Sequence, residues 1–347
     1  VSVTDSFTIA VANANDAPAI TSTAVTTATE DAAYTYTVTA SDADGDTLTM
    51  TGTTVPSWLS FNAATGVLSG TPANANVGTS GNAVVITVSD GNNGAVTDSF
   101  TITVTNTNDA PTVANAISDA STNEDAAYSL SISNVFTDVD SGDSCTYTMS
   151  GAPSTITLSS ATISGTPVNA DVGTHTIVVT CTDGSSASVS DSYVLTVANT
   201  NDAPTLASAI ADASTAEDAS YSLDVSSAFT DVDSGDTLTY TMSGAPSSLS
   251  ISSGTISGAP VNADVGTHTI VVTATDGSNA AVSDTYILTV TNTNDAPTIT
   301  STADTTAEED DAYSYTTVAS DVDVGDTVTL TCTTVPTWLS CTAGALT

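Results

Sequence analysis

The sequence predicts an all-β protein, a tandem array of seven-stranded β-sandwich domains with a 93-residue period. Three observations carry that prediction. Asn-Asp-Ala-Pro occurs at residues 15–18, 108–111, 201–204 and 294–297, a constant spacing of 93. The chain is rich in Thr, Ser, Val and Ala with only 5% aromatic residues, which suits short strands better than helices. Alternating apolar and polar runs recur between Gly, Pro, Asn and Asp turns. The 347 residues therefore divide into the last strand of an upstream repeat (1–17), three full repeats (18–110, 111–203 and 204–296) and an incomplete fourth (297–347). Each full repeat is long enough to bury its own small core.

Taken in order, residues 3–11 match residues 96–104 almost position for position and read as a closing strand. In the first repeat a strand is expected over 19–24, continuing loosely toward Glu30. A second follows at 34–38, then the acidic loop Asp42-Ala43-Asp44-Gly45-Asp46 and a third strand over 47–53. Pro56-Ser57-Trp58-Leu59-Ser60-Phe61, a turn through Gly66 and Leu68-Ser69-Gly70-Thr71-Pro72 come next. Residues 84–88 and 95–104 form the closing hairpin about the turn at 90–94. That makes about seven strands, the number of a β-sandwich. Repeats two and three share an Asp-Val-Asp-Ser-Gly-Asp loop and the run Pro-Val-Asn-Ala-Asp-Val-Gly-Thr-His-Thr, whereas the fourth returns to the first type, with residues 335–340 echoing 55–60. Trp58 and Trp338 read as core residues, and His175 and His268 as ordinary strand residues. The sequence has no signal peptide or initiator Met and opens and closes in mid-repeat, so a stretch of a longer or processed chain is expected.

The charge balance narrows function sharply. There are 39 acidic residues and no Lys or Arg, for a formal charge of −39. Nucleic acid is excluded as a partner, because nothing can neutralise phosphates. Direct membrane insertion is excluded for this segment, since no apolar run approaches the ~20 residues of a spanning helix. Acidic side chains that must sit close together have only metal ions as positive partners. The absence of Lys and Arg also removes every cleavage site for trypsin-like proteases, which suits an exposed extracellular material. An enzyme is not expected: there is no activated nucleophile or histidine dyad, and the paired carboxylates recur in every repeat, as scaffolding does.

The four cysteines come in domain-mates. Cys145 and Cys181 stand where the next repeat has Leu238 and Ala274, and Cys332 and Cys341 stand where the first has Gly52 and Phe61. Paired replacement predicts two disulfides and an oxidising compartment.

Strand length converts the acidic positions into a site. At about 3.3 Å per residue, the fourteen residues from Asp16 to Glu30 span roughly 45 Å, the length of a domain. Glu30 is thus carried to the far end, and the next strand returns Asp42 and Asp44 to the near end, together with the hairpin turn at Asp90. The first junction should gather Glu30 from one domain, Asn106, Asn108 and Asp109 from the linker, and Asp138, Asp140 and Asp183 from the next. The same phases assign Glu124, Asp171, Asn199, Asn201, Asp202, Asp231, Asp233 and Asp276 to the second junction. They assign Glu217, Asp264, Asn292, Asn294, Asp295, Asp321 and Asp323 to the third. Asn13, Asn15, Asp16, Asp42, Asp44 and Asp90 form the corresponding half-site at the start. An all-oxygen set rich in carboxylates describes Ca2+ better than a transition metal. The loop at 42–46 imitates the start of an EF-hand, but Thr53 stands where its last ligand would be Glu, so an EF-hand is rejected.

These residues carry a family resemblance that covers essentially the whole chain. Pro-Ser-Trp-Leu-Ser-Phe, Leu-Ser-Gly-Thr-Pro and the closing Asn-Asp-Ala-Pro resemble cadherin-like domains, in the dystroglycan-type and immunoglobulin-like (Ig-like) versions of microbial surface proteins. The resemblance implies calcium between successive domains. Thr29-Glu30-Asp31 resembles the family's early Glu, Asp138-Val139-Asp140 its Asp-x-Asp loop, and Asn106-Thr107-Asn108-Asp109 its linker. Its Asp-Arg-Glu turn is not kept: Asn169-Ala170-Asp171 lacks the Arg, and Asn74-Ala75-Asn76 lacks both acids. The function expected is a calcium-stiffened extracellular rod, a stalk, adhesin segment or filament of a microbial surface or matrix. Its expected partners are neighbouring copies of itself in a fibre or surface layer, and glycans or another cell-surface protein. The alternative is a set of carbohydrate-binding accessory modules on a secreted carbohydrate-active protein, which would need an exposed aromatic platform.

Overall fold

The computed structural model describes residues 1–347 and separates into two compact units, residues 1–198 and 199–347. Each is described by itself.

In the first unit the second repeat shows the architecture most plainly. Ala120–Asn123, Ser188–Ala198, Gly173–Thr182 and Thr146–Ser150 lie side by side in one sheet, in that order. Tyr128–Ser131, Thr162–Gly165 and Ile156–Ser159 make the facing sheet. The strands alternate as the composition requires: in Gly173–Thr182 the inward Ile177, Val179 and Cys181 are fully buried while their neighbours reach the surface. Ile132, Ile163, Ile177, Val179 and Leu195 fill the space between the sheets. Gly151 has a φ of +79°, and a Cβ there would run into the Thr176 carbonyl, so the turn before Ile156–Ser159 requires glycine.

The first strand of each of the three complete repeats is split. Thr112–Val113 pairs antiparallel with Phe136–Thr137, and the chain then crosses to place Ala120–Asn123 parallel to Ser188–Ala198. The crossing leaves ladder donors unpaired, and two carboxylates supply acceptors. Asp191 accepts the Ile117 N–H at 2.6 Å, and Asp119 accepts that of Val194 at 2.8 Å. The same split replaces the single strand expected over 19–24, with Ala19–Ile20 and Thr27–Thr29 as the two pieces.

The first repeat differs in its interior. Its larger sheet is Thr49–Thr54, Ala83–Ser89 and Ala95–Thr101, with a bulge between Gly52 and Thr54. Thr103–Thr105 pairs separately with Thr27–Thr29. Trp58 packs edge-on against Tyr34 and donates Nε1–H to Oδ1 of the buried Asn82 at 2.9 Å. Residues 1–17 form no strand, and Phe7 and Ile9 are exposed, because no sheet edge lies beside them to take up their ladder hydrogen bonds.

In the second unit the third repeat repeats the two-sheet arrangement, with Ile256, Ile270, Val272 and Leu288 at its centre. In the fourth, Thr298–Ile299 pairs with Ala319–Ser320, and Tyr315–Thr316, Ala345–Leu346 and Cys341–Thr342 make a small sheet. Trp338 corrects the core expectation. It meets Tyr313 edge-on but remains 64% exposed, because residues 297–347 include no counterpart of Asn82 or of the strands that cover Trp58.

Both expected disulfides form, Cys145–Cys181 with Cα atoms 5.1 Å apart and Cys332–Cys341 at 6.4 Å. His175 and His268 lie within strands, each with Nε2 2.7 Å from a backbone carbonyl, of Asp171 and Asp264 respectively.

Candidate metal centres at the repeat junctions

The acidic loop after each second strand is locally determined. The second Asp of every Asp-x-Asp turns its N–H back onto the first: Asp44 onto Asp42, Asp140 onto Asp138, Asp233 onto Asp231 and Asp323 onto Asp321, at 2.8 to 3.0 Å. This Asx turn uses one oxygen of the first carboxylate. The other oxygen of Asp42, Asp138 and Asp231 is buried and has no hydrogen-bond partner. The second Asp is then fixed by the linker. Asp140 Oδ2 accepts the Asp109 N–H at 2.7 Å, Asp233 Oδ2 that of Asp202 at 2.7 Å, and Asp323 Oδ2 that of Asp295 at 2.6 Å.

The hairpin turn is tied to the same linker. Asn108 Nδ2 donates to Asp183 Oδ2 at 2.9 Å, and Asn201 Nδ2 to Asp276 Oδ2 at 3.0 Å. At the start of the chain Asn15 donates to Asp90 at 2.8 Å, Asn13 to Asp44 at 2.7 Å, and the Asp16 N–H to Asp44 at 2.6 Å. These amides, followed by backbone N–H groups of the turns, hold the carboxyls of Asp183, Asp276 and Asp90 below the usual range.

From the preceding repeat comes the early Glu. Glu30 is 2% exposed and accepts the Thr107 N–H at 3.2 Å; Glu217, equally buried, accepts that of Thr293 at 2.8 Å, and its Oε2 has no hydrogen-bond partner. In the first unit, oxygens of Glu30, Asp31 and Asp109 lie within 4.8 Å of one another, as do those of Asp138, Asp143 and Asp183. In the second unit Glu217, Asp295 and Asp323 do the same. Burial, then the neighbouring carboxylates, push Asp109, Asp143, Asp236 and Asp295 above the usual range. A buried carboxylate oxygen without a donor is costly, and crowding like charges around it adds to the cost. A bound cation would relieve both, and every donor atom available to it is oxygen.

The remaining expected residues divide. Glu124 is buried and its N–H donates to the Ala198 carbonyl. Asn294 Nδ2 turns onto the Asp295 carbonyl at 2.8 Å. Asn106, Asn199 and Asn292 lie exposed in their linkers. Asp171 and Asp264 point into their own turns: Asp171 Oδ2 accepts Thr155 Oγ1–H and the Val168 N–H, and Asp264 Oδ2 accepts Ser248 Oγ–H and the Val261 N–H. The residue of this turn that reaches the next domain is its Asn. Asn74 Nδ2 donates to Asp140 Oδ1 at 2.9 Å, and Asn262 Nδ2 to Asp323 Oδ1 at 3.1 Å. These amides were absent from the expected set, as were Asp31 and Asp143. The signal was present in the constant Asn of Asn-Ala-Asn and Asn-Ala-Asp, which holds while the third residue varies.

A β-sandwich array whose linkers fasten buried carboxylates defines an Ig-like, cadherin-like repeat protein. The chain belongs to the family described as "Putative Ig domain", whose model matches residues 17–105, 110–198, 203–291 and 296–347. Among solved structures it is similar to a protocadherin gammaB7 EC3-6 cis-dimer, with 18% identity, a TM-score of 0.52 and coverage of 95% of this chain and 91% of that one. It is also similar to mouse cadherin-23 EC22-24, with 20% identity, a TM-score of 0.50 and coverage of 80% and 100%. Both likenesses concern the fold. Among curated proteins, the "Serine-rich adhesin for platelets" of Staphylococcus aureus (strain MRSA252) is 40% identical over 138 residues. That match covers 39% of this chain and 9% of the adhesin's length. Family, disulfides and relatives together indicate an extracellular or cell-surface protein, and no helix is long and apolar enough to cross a membrane.

Proposed function

We propose that the chain is a non-enzymatic segment of a surface rod, a stalk or adhesin segment whose junctions bind Ca2+ and are stiffened by it. The observation that carries this reading is the buried, unpartnered carboxylate oxygen, at Glu217 Oε2 and Asp138 Oδ2, in a protein with no Lys or Arg to satisfy it. Calcium takes six to eight oxygens and tolerates irregular geometry. Glu30, Asp109, Asp138 and Asp140 would hold it at the first junction, and Glu217, Asp295, Asp321 and Asp323 at the third. The bound ion would supply the positive charge that turns mutual repulsion into a tie between preceding domain, linker and following domain. Asn74 and Asn262 would orient the second Asp, and the Asx turn would present the first. Neighbouring copies in a fibre or surface layer are the natural partners of such a rod.

Calorimetric titration of the metal-free chain with Ca2+, and solution scattering with and without chelator, test the reading. Calcium should bind with a measurable heat and should lengthen the particle. Superimposable scattering profiles with no binding heat would sink it. The glycan-module alternative finds less support, because the tryptophan of the complete first repeat is packed against Tyr34 and hydrogen-bonded to Asn82.

A further inference from the structure

The carboxylates are unevenly placed, and in each complete repeat the outer face of the larger sheet has none. In the second repeat the outward cross-strand rows include Thr148–Thr180–Ser190 and Ser150–Val178–Ser192. In the third they include Thr241–Thr273–Ser283 and Ser243–Val271–Thr285. In the first, Thr87 lies between Thr51 and Thr97, with Val85 beside it. The acids of these strands, Asp98, Asp191 and Asp284, pair across to the fully buried Ile86, Val179 and Val272, on the core side of the pleat. There they accept the Tyr36 hydroxyl at 2.8 Å and the Ile117 and Ile210 N–H groups at 2.6 Å. Asp119 and Asp212 occupy the sheet edge, bound to the Val194 and Ile287 N–H groups.

Each of these faces also has partly exposed aliphatic groups among its hydroxyls: Val85 in the first, Val178 and Val194 in the second, Val271 and Ile287 in the third. Aliphatic groups in a hydroxyl surround, with carboxylates confined to the sheet edge at Asp119 and Asp212, make a composition suited to a protein contact surface. The smaller sheet's outer face differs in the second and third repeats, where its outward positions have hydroxyl side chains and no aliphatic group, and in the third it also includes Asp224.

We infer that the outer face of the larger sheet is a lateral contact surface for a second copy of this chain. The occupant follows from charge. A cationic partner would be drawn to the acidic junctions, and a glycan would seek an aromatic ring, which no outward position of these strands provides. A second copy has no cation to offer a carboxylate, so two copies can be pressed together only where neither carries one. The inference rests on the reading of the chain as a rod with neighbouring copies, but not on its calcium.

The test is sedimentation velocity on the 347-residue chain as NaCl is raised from about 0.01 to about 1 M, which shortens the screening length from about 30 to about 3 Å. It is run once with chelator and once with Ca2+. Self-association should strengthen with salt in both arms, because only the repulsion between the acidic surfaces is screened. The double variant Thr148→Asp, Thr241→Asp should weaken it roughly 100-fold or more. The double variant Thr148→Asn, Thr241→Asn, and Ser129→Asp with Ser250→Asp on the smaller sheet's outer face, should leave it near wild type. Circular dichroism melts confirm that each variant is folded. A monomer at every salt concentration overturns the inference, as does equal loss in both Asp pairs. Association seen only with Ca2+ also overturns it while leaving the calcium reading standing. Salt-driven association without any calcium binding does the reverse.

Discussion

The ends of the repeats and their interiors solve different problems, and their residues vary accordingly. At the ends the same atoms do the same work. Asp140 and Asp323 each accept a linker N–H on one oxygen and an Asn amide on the other, with distances that agree within 0.2 Å. The interiors are filled by different means. The first repeat uses Trp58 bound to Asn82, the second the Cys145–Cys181 disulfide, and the third Leu238 and Ala274 where those cysteines stand. The difference teaches what each part demands. A core requires volume, pattern and no unpaired polar group, which many residue sets satisfy. A cluster of buried carboxylates requires particular oxygens at particular places, and any substitution leaves a charge or a donor stranded.

Removing one end oxygen should separate the two regions most sharply. Asp323→Ala should lower calcium affinity at the third junction on the order of a thousandfold, equivalent to roughly 4 kcal/mol. The melting of the third-repeat core should barely move, as calorimetry and tryptophan-independent circular dichroism would read. A cavity in an interior should do the opposite. Ile163 is fully buried, and Ile163→Ala should cost about 2–5 kcal/mol in denaturant unfolding with calcium affinity unchanged. If calcium affinity falls with it, ends and interiors are not independent.

Somewhat smaller is the effect of the disulfide. Cys145 and Cys181 are 36 residues apart, and replacing both with Ala should cost about 3 kcal/mol through the unfolded state. The cysteine-free third repeat supplies the internal control, and reduction of wild type should reproduce the loss. Smaller again is Trp58→Phe, which keeps the ring against Tyr34 but strands the Asn82 carbonyl oxygen; about 1–3 kcal/mol is expected, and Asn82→Ala in the same background should cost more, because Asn82 Nδ2 also donates to the Asn76 and Gly78 carbonyls.

The last effect appears only in alkali. Burial raises the Tyr34 hydroxyl to about 12, and also raises Tyr193 and Tyr286. A raised folded-state value means that the stabilisation is complete below the ordinary value of 10 and is lost as pH climbs from there through about 12. Tyrosinate absorbance should therefore lag behind that of a free tyrosine and rise together with unfolding. Ionisation near pH 10 without unfolding would show that these rings are not held in the interior.

The sequence by itself determined the period, the strand pattern, both disulfides and the phase at which acids gather. Those features are local or repetitive: alternation places every second side chain inward, a 93-residue repeat exposes paired replacements, and an Asp-x-Asp turn forms from its own backbone. Glu30 could be sent to the far end of its domain by counting residues, because a strand's length is nearly constant. Only the tertiary structure decided which way the turn at Asn-Ala-Asp faces. There Asp171 and Asp264 bond within their own repeats, while Asn74 and Asn262 reach the next domain. It also decided that the first strand splits between sheets, with Asp119 and Asp191 completing its hydrogen bonds. Each of these depends on which donors and acceptors remain after distant strands have paired, a quantity that no window of sequence contains.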